Sequence, residues 1–332
     1  MTRGLILLIS AAASFAQAPT TFENARIETR TAGANLESTM QSLIAAQTAA
    51  PAWIGYSVPV VPGERHVCGW ENNGNTRSPQ QTRMSLEGPS ALYVLYRAEA
   101  GKLTKVRIAT PDCQIDAGGV AVIWLTGVAP DASVRYLQTL VTEQRGDQVI
   151  SAIALHNTPV ADQALDALAA TDKPVETRRK AVFWLGVARG RHGYDRLINI
   201  VRNDPSDKVR EHAIFALSQS KEPDAIPAII KVAHDDTNAH VRGQALFWLA
   251  QKAGTKAAGD AIANAIASDP DTEVKRRAVF ALSRLPNGEG VPKLIDVAKT
   301  NRNAEVRKQA MFWLGQSKDP RALDFIENVL TK

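Results

Sequence analysis

The sequence predicts an α+β protein in two parts, a small β-rich domain followed by an all-α solenoid. Three observations carry this reading. A ten-residue phrase recurs five times in the second half: TRRKAVFWLG from Thr177, VREHAIFALS from Val209, VRGQALFWLA from Val241, VKRRAVFALS from Val274 and VRKQAMFWLG from Val306. The steps are 32, 32, 33 and 32 residues, the period of stacked units that bury their apolar faces against one another. Between residues 53 and 128 the chain instead carries short runs of β-branched and aromatic residues, broken by Gly and Pro. At 332 residues and 45% hydrophobic content, there is material for two domains.

Residues 1–16 read as an export signal. Arg3 supplies a basic start and Gly4 to Ala13 an apolar run, far shorter than the ~20 residues that span a bilayer. Cleavage fits after Ala16 or after Ala18; Pro19 disfavours the second, so the mature chain is expected to start at Gln17. The alternative is a cytosolic protein with an apolar first helix. Export predicts a periplasmic or secreted protein, and no other segment is long and apolar enough to cross a membrane.

Residues 17–128 form the predicted β-rich domain with an N-terminal helix. Glu23 to Arg30 alternates in polarity and reads as a strand, and Leu36 to Ala49 as a helix ended by Pro51. The run WIGYSVPVV from Trp53 is a strand that Pro59 and Pro62 should confine to an edge or an extended arm. Residues 71–85 are polar and turn-rich, hence a loop. Ala91 to Ala98 and Leu103 to Thr110 read as a hairpin across Ala100-Gly101-Lys102. Val120 to Leu125 is continuously apolar, as in a central strand, and is entered through Asp116-Ala117-Gly118-Gly119.

In an oxidising compartment Cys68 and Cys113 are expected to form a disulfide, worth roughly 4 kcal/mol in the chain-entropy picture. The alternative is a metal site built from His66, Cys68, Asp112 and Cys113, although His66-x-Cys68 lacks the spacing of a structural zinc knuckle.

From residue 129 to 332 the pattern is helical. Val134 to Gln144 and Val149 to His156 look like a worn first pair, five clearer units follow, and a helix from Ala322 to Leu330 closes the chain. Turned at about 100° per residue, the phrase from Val209 is apolar over more than half its circumference, with Glu211 and Ser218 facing away. A lone surface helix needs only about 100°. Ser206, Asn238, Asp271 and Asn303 stand three residues before the four Val starts, the place of an N-cap. Second helices are expected at Ala225 to Ala233 and Val291 to Lys299, with Pro227 and Pro292 in their first turns.

Spacing, Asp-rich turn, Val-Arg and Ala-x-x-Leu together resemble the HEAT repeat, in particular the short HEAT-like type of phycobilisome lyases. The resemblance covers about residues 131–332, most strongly from Thr177. The whole architecture resembles secreted bacterial HEAT-repeat proteins. What this implies is a fold and a scaffold-like surface, with no particular chemistry attached.

Phe183, Phe215, Phe247, Phe280 and Phe312 fill one slot of the phrase. In the next slot Trp184, Trp248 and Trp313 alternate with Ala216 and Ala281. Interdigitating repeat packing is the expected reason, with aromatic anchors for a partner as the alternative. Arg178, Arg210, Arg242, Lys275 and Arg307 form a basic ladder that resembles the Asp/Arg ladder tying HEAT units together, with Asp204, Asp236 and Asp269 as partners. The alternative is a phosphate-tracking stripe as in HEAT-fold DNA-repair glycosylases, which export disfavours. Glu211, His212, Gly243, Gln244, Lys308 and Gln309 differ between copies and are the expected exposed interaction face.

The formal charge of +5 is a mixture of 39 basic and 34 acidic residues, which permits a weak preference for acidic partners and nothing stronger; export argues against nucleic acid. The resemblance raises two enzyme classes. HEAT-like deoxyhypusine hydroxylase holds iron with His-Glu pairs, and none of the six histidines precedes a Glu. Bilin lyases act on intracellular pigment proteins, which conflicts with export. There is no G-x-S-x-G, H-E-x-x-H, phosphate-cradling glycine loop or C-x-x-C. The expectation is a non-enzymatic, cofactor-free protein-binding scaffold of the periplasm or exterior. The runner-up is an envelope ligand- or metal-binding protein with its site around His66, Cys68, Asp112 and Asp116.

Overall fold

A computed structural model describes residues 21–63, 66–68, 88–142, 144–252 and 256–331. The export segment and the loop expected at 71–85 lie outside the described residues. The chain forms two compact units, residues 1–167 and 168–332.

The first unit is built in the order β1 (Phe22–Glu23), β2 (Arg26–Thr31), α1 (Leu36–Ala45), β3 (Ala52–Pro59), β4 (Ala91–Glu99), β5 (Lys102–Ala109), β6 (Ile115–Asp116), β7 (Ala121–Thr126), α2 (Pro130–Thr139) and α3 (Gly146–Leu155). Five strands make a mixed sheet, β2-β7-β3-β4-β5, parallel across β2, β7 and β3 and antiparallel across β3, β4 and β5. The strand expected at Glu23 to Arg30 is split, because Asn24 adopts a left-handed φ of 50° and sends β1 to pair with β6 while β2 pairs with β7. The helix from Leu36 is shorter than expected and stops at Ala45, its start capped by Asn35.

β3 corrects the sequence reading. It is an interior strand, hydrogen-bonded on both sides, not an edge or an arm. Pro59 is tolerated because it is the last residue of the strand, where a missing N–H removes little from the ladder. β4 is buried on both faces, and Tyr56, Leu92, Val94, Tyr96, Val122 and Trp124 are wholly inaccessible. Such double burial needs cover on both sides of the sheet.

α2 and α3 belong to this first unit, although the helical pattern that contains them begins at residue 129. A buried polar chain explains why. The Tyr96 and Tyr56 hydroxyls lie 2.7 Å apart, Tyr56 lies 2.7 Å from the Ser133 Oγ, and Ser133 lies 2.7 Å from the His156 Nε2. His156 Nδ1 stands 2.7 Å from the Ala152 carbonyl. That carbonyl can only accept, so in the neutral ring Nδ1 carries the proton and Nε2 accepts from Ser133. The hydroxyls then point one way, from Tyr96 through Tyr56 and Ser133 to the imidazole. Burial raises both tyrosine pKa values well above the ordinary range, so these hydroxyls stay protonated donors. Val61 N–H to the Leu155 carbonyl (2.9 Å) and Asn157 N–H to the Pro59 carbonyl (2.9 Å) tie the end of α3 to the end of β3.

The second unit follows α4 (Pro159–Leu168) and is a row of five helix pairs. First helices are α5 (Val175–Ala188), α7 (Asp207–Gln219), α9 (Ala239–Lys252), α11 (Thr272–Ser283) and α13 (Ala304–Gly315). Second helices are α6 (Gly190–Asn203), α8 (Ala225–Asp235), α10 (Lys256–Ser268), α12 (Gly290–Thr300) and α14 (Pro320–Leu330). Each first helix packs on its own second helix and on the first helices before and after it. Val209, Val241, Val274 and Val306, with Leu217, Leu249, Leu282 and Leu314, form its dry interior. Asn238, Asp271 and Asn303 accept from N–H groups of the first turn; Ser206 occupies the same place without a side-chain cap bond.

Small residues set how closely the helices approach. A Cβ on Gly186 would meet the Ala216 carbonyl oxygen of the next first helix at 2.4 Å. On Gly290 it would meet the Leu282 oxygen at 1.8 Å. The same slot as Gly186 holds Ser218, which is buried and donates to the Phe215 carbonyl, not facing solvent as the helical wheel places it.

Candidate functional site

The basic ladder lies inside the array. Arg178 Nη1 reaches both Asp204 oxygens at 2.5 and 2.7 Å, and Arg242 grips Asp269 through Nε (2.7 Å) and Nη2 (2.9 Å). Arg210 is looser, 3.5 Å from Asp236 and 2.7 Å from Asp207. Each carboxylate also accepts the N–H two residues on, Ser206, Asn238 or Asp271, at 2.8 to 2.9 Å. Arg210, Arg242 and Arg307 reach back to the carbonyls of Asp204, Asp236 and Asn301. One rung therefore knots a turn to the helix before it and to the helix after it. At the fourth rung, opposite Lys275 in the repeat register, Asn301 takes the aspartate's place.

Arg178, Asp204, Arg242 and Asp269 are 4 to 8% exposed, so these guanidinium groups are closed to phosphate. Burial alone would raise the Asp269 pKa; the hydrogen bonds from Arg242 and the Asp271 N–H outweigh it and lower the value. Arg242 is raised in turn by the Asp269 hydrogen bond.

The aromatic slots form a second ladder, and this one reaches the surface. Where the second slot is Ala, successive Phe rings stack directly: Phe183 on Phe215 at 5.9 Å and Phe247 on Phe280 at 6.3 Å. Where it is Trp, the indole bridges, as in Phe215 to Trp248 at 4.6 Å and Phe280 to Trp313 at 4.9 Å. Trp–Phe pairs within α5, α9 and α13 (Phe183–Trp184, Phe247–Trp248, Phe312–Trp313) close the gaps. The alternation of large and small residues thus keeps the rings in unbroken contact from α5 to α13. Ala216 and Ala281 are wholly buried, but the rings are only half-buried, and Phe312 is 53% exposed. Packing and display are the same feature here.

The six residues expected to form the interaction face do not share one environment. Glu211 is half-buried and pairs with His240 at 3.2 Å. His212 lies against Phe183 and Phe215, with ring centroids 6.5 and 5.5 Å away. Burial, then the nearby Arg179 charge, lowers its pKa to about 4. Gly243 is a correction: it is buried beneath Arg277, whose Cδ would lie 2.7 Å from an added Cβ. Gln244 and Gln309 are half-buried and Lys308 is exposed.

In the first unit Cys68 and Cys113 are joined in a disulfide with a Cα–Cα distance of 5.3 Å. His66 Nδ1 stands 2.5 Å from Asp112 Oδ2 beside it. With both sulfurs in the bridge, the thiolates that a Cys68/Asp112/Cys113 metal site needs do not exist in this structure. Asp116 is not with them. Its carboxylate accepts from Asn24 (3.1 Å) and from the Gly118 N–H (2.8 Å), fixing the turn before β7.

Among the described residues, no helix is long and apolar enough to cross a membrane. No curated protein matches the chain by sequence. Solved structures that are similar in part include these three. The complex of CpcE and CpcF of phycocyanin lyase from Nostoc sp. PCC7120 is 18% identical, covering 48% of this chain and 100% of that one, with a TM-score of 0.36. Human deoxyhypusine hydroxylase in complex with glycerol is 14% identical over 60% of this chain and 90% of that one, TM-score 0.27. Kap121p bound to Pho4p is 18% identical over 56% and 25%, TM-score 0.29. Overlaps this partial transfer no function. The HEAT-repeat family matches residues 194–262 and 259–332. That match identifies residues 194–332 as HEAT repeats, and the helix pairs with their Arg/Asp ladder continue the same pattern back to α5.

Proposed function

We propose that this chain is an exported, non-enzymatic scaffold that holds a protein partner on the aromatic stripe of its HEAT array. The supporting observation is the unbroken row of half-buried rings from Trp184 to Phe312. Rings locked by their neighbours lose little entropy on contact, which makes aromatic side chains effective anchors in interfaces. The buried charges of the array are consumed in structural pairs, leaving the stripe as its most distinctive exposed chemistry. The N-terminal apolar run and the Cys68–Cys113 bridge suit an oxidising compartment.

A photo-reactive phenylalanine analogue at position 215, 247 or 280 tests the reading in the native envelope, with Lys231 and Asn264 on the second helices as control positions. The same polypeptide is expected from the three stripe positions and not from the controls. Capture only from the second helices would overturn it. N-terminal sequencing of the mature protein is expected to begin at Gln17.

A further inference from the structure

We infer that the segment seated on the aromatic stripe is an acidic amphipathic helix. The inference rests on the stripe being a docking face and adds the chemistry of its occupant. Residues three and four positions before each Phe lie one helical turn away, directly beside its ring. They include Arg179, Lys180, Arg276, Arg277 and Lys308, and Arg284 stands one turn to the other side of Phe280. Against these six cations the same flanks hold one carboxylate, Glu211, already engaged by His240 at 3.2 Å.

The other acidic groups of these helices stand farther off. Glu176 holds Arg179 at 3.0 Å, and Glu273 holds Arg276 at 3.2 Å and Arg277 at 3.4 Å, each from a turn farther from the rings. The turn next to the rings therefore carries more cations than carboxylates, with Arg179, Arg276 and Arg277 held in place by Glu176, Glu273 and, for Arg277, His240 at 2.7 Å. Complementary charge at such a rim sets orientation, partner choice and salt dependence.

The repeat also sets the partner's period. Successive ring centroids lie 4.6 to 6.3 Å apart from α5 to α13. An α-helix with apolar residues three and four positions apart presents side chains every ~4.5–6 Å along its apolar stripe. A helix of four heptads, apolar on one face and rich in Glu or Asp beside it, is long enough to cover the row and matches its spacing and charge. An anionic membrane shares the charge but fits less well, because the rings other than Phe312 are half-buried and offer little apolar surface to insert into lipid.

The test titrates the full-length protein with a synthetic 28-residue helix of about four heptads, Leu on one face and Glu on the flanks, followed by tryptophan emission and calorimetry. A twin peptide with Lys for Glu and vesicles containing phosphatidylglycerol serve as competitors. The Glu peptide is expected to bind at least about tenfold tighter than its twin and to weaken about tenfold between low and moderate salt. Joint Arg276→Gln and Arg277→Gln substitution should weaken it severalfold, and joint Phe247→Ala and Phe280→Ala should abolish it, with unchanged circular dichroism in both. Equal binding of the two peptides overturns the charge assignment while leaving the docking face standing. Undiminished binding after loss of the two Phe rings overturns the docking face itself. No binding of the Glu peptide, or tighter binding of the vesicles, overturns the inference.

Discussion

Replacing Arg242 by Ala probes the ladder at its most complete rung. The wild-type Asp269 carboxylate accepts two bonds from Arg242, at 2.7 and 2.9 Å, and one from the Asp271 N–H at 2.9 Å. The substitution leaves a carboxylate 8% exposed with one bond, and it also deprives the Asp236 carbonyl of a 2.9 Å donor. Removing one member of a buried ion pair costs about 3–5 kcal/mol, chiefly through the charge left behind. Arg307 is the internal control: it donates to the carbonyls of Asn301 and Arg302 at 2.8 and 3.1 Å, and Asn301 is neutral. Its loss should cost about 1 kcal/mol, the worth of ordinary hydrogen bonds. Urea unfolding followed by circular dichroism at 222 nm measures both. A cost for Arg242→Ala below about 1 kcal/mol, or equal to that of Arg307→Ala, refutes the ladder as a buried structural tie.

Three further outcomes follow from the same geometry. Gly290→Ala should cost at least about 2 kcal/mol, since its Cβ meets the Leu282 backbone at 1.8 Å. Gly243→Ala, which meets only the flexible end of Arg277, should be within about 0.5 kcal/mol of neutral; urea midpoints of the two variants give the comparison. Reducing Cys68–Cys113, or Cys68→Ser, should destabilise the first unit by about 2–4 kcal/mol, seen as an earlier loss of near-ultraviolet dichroism on heating. His212 has a folded pKa of about 4 against 6.5 for the free side chain, so the unfolded chain binds more protons between these values. Its contribution is full above pH 6.5 and is lost as the pH falls towards 4. About 1–2 kcal/mol is expected after allowing for the half-exposed ring, and His212→Gln should remove that part of the pH slope in urea titrations.

The repeat was legible because its signals are local and recur: a Val-Leu interior, a cap residue three positions earlier, an Arg and an Asp at fixed offsets. The sheet was less so. Pro59 argued for an edge, yet a strand's last residue can lack its N–H without losing its place. The Tyr96–Tyr56–Ser133–His156 chain had no signature, since its neighbours are 40, 77 and 23 residues apart and only the fold brings them together. The face of the array was partly misread for a different reason. A helical wheel sends apolar residues inward and small polar ones outward, but Ser218 is buried and donates to the Phe215 carbonyl, Gly243 is covered by the Arg277 side chain, and the Phe rings are only half-buried.

The most direct test of the docking face is the partner affinity of a variant in which Phe215, Phe247 and Phe280 are all replaced by Ala, with helix content as its control. Half-buried rings on a surface stripe predict a folded array that has lost at least tenfold in affinity. An array that stays folded and binds as before would show that the rings are not the docking face.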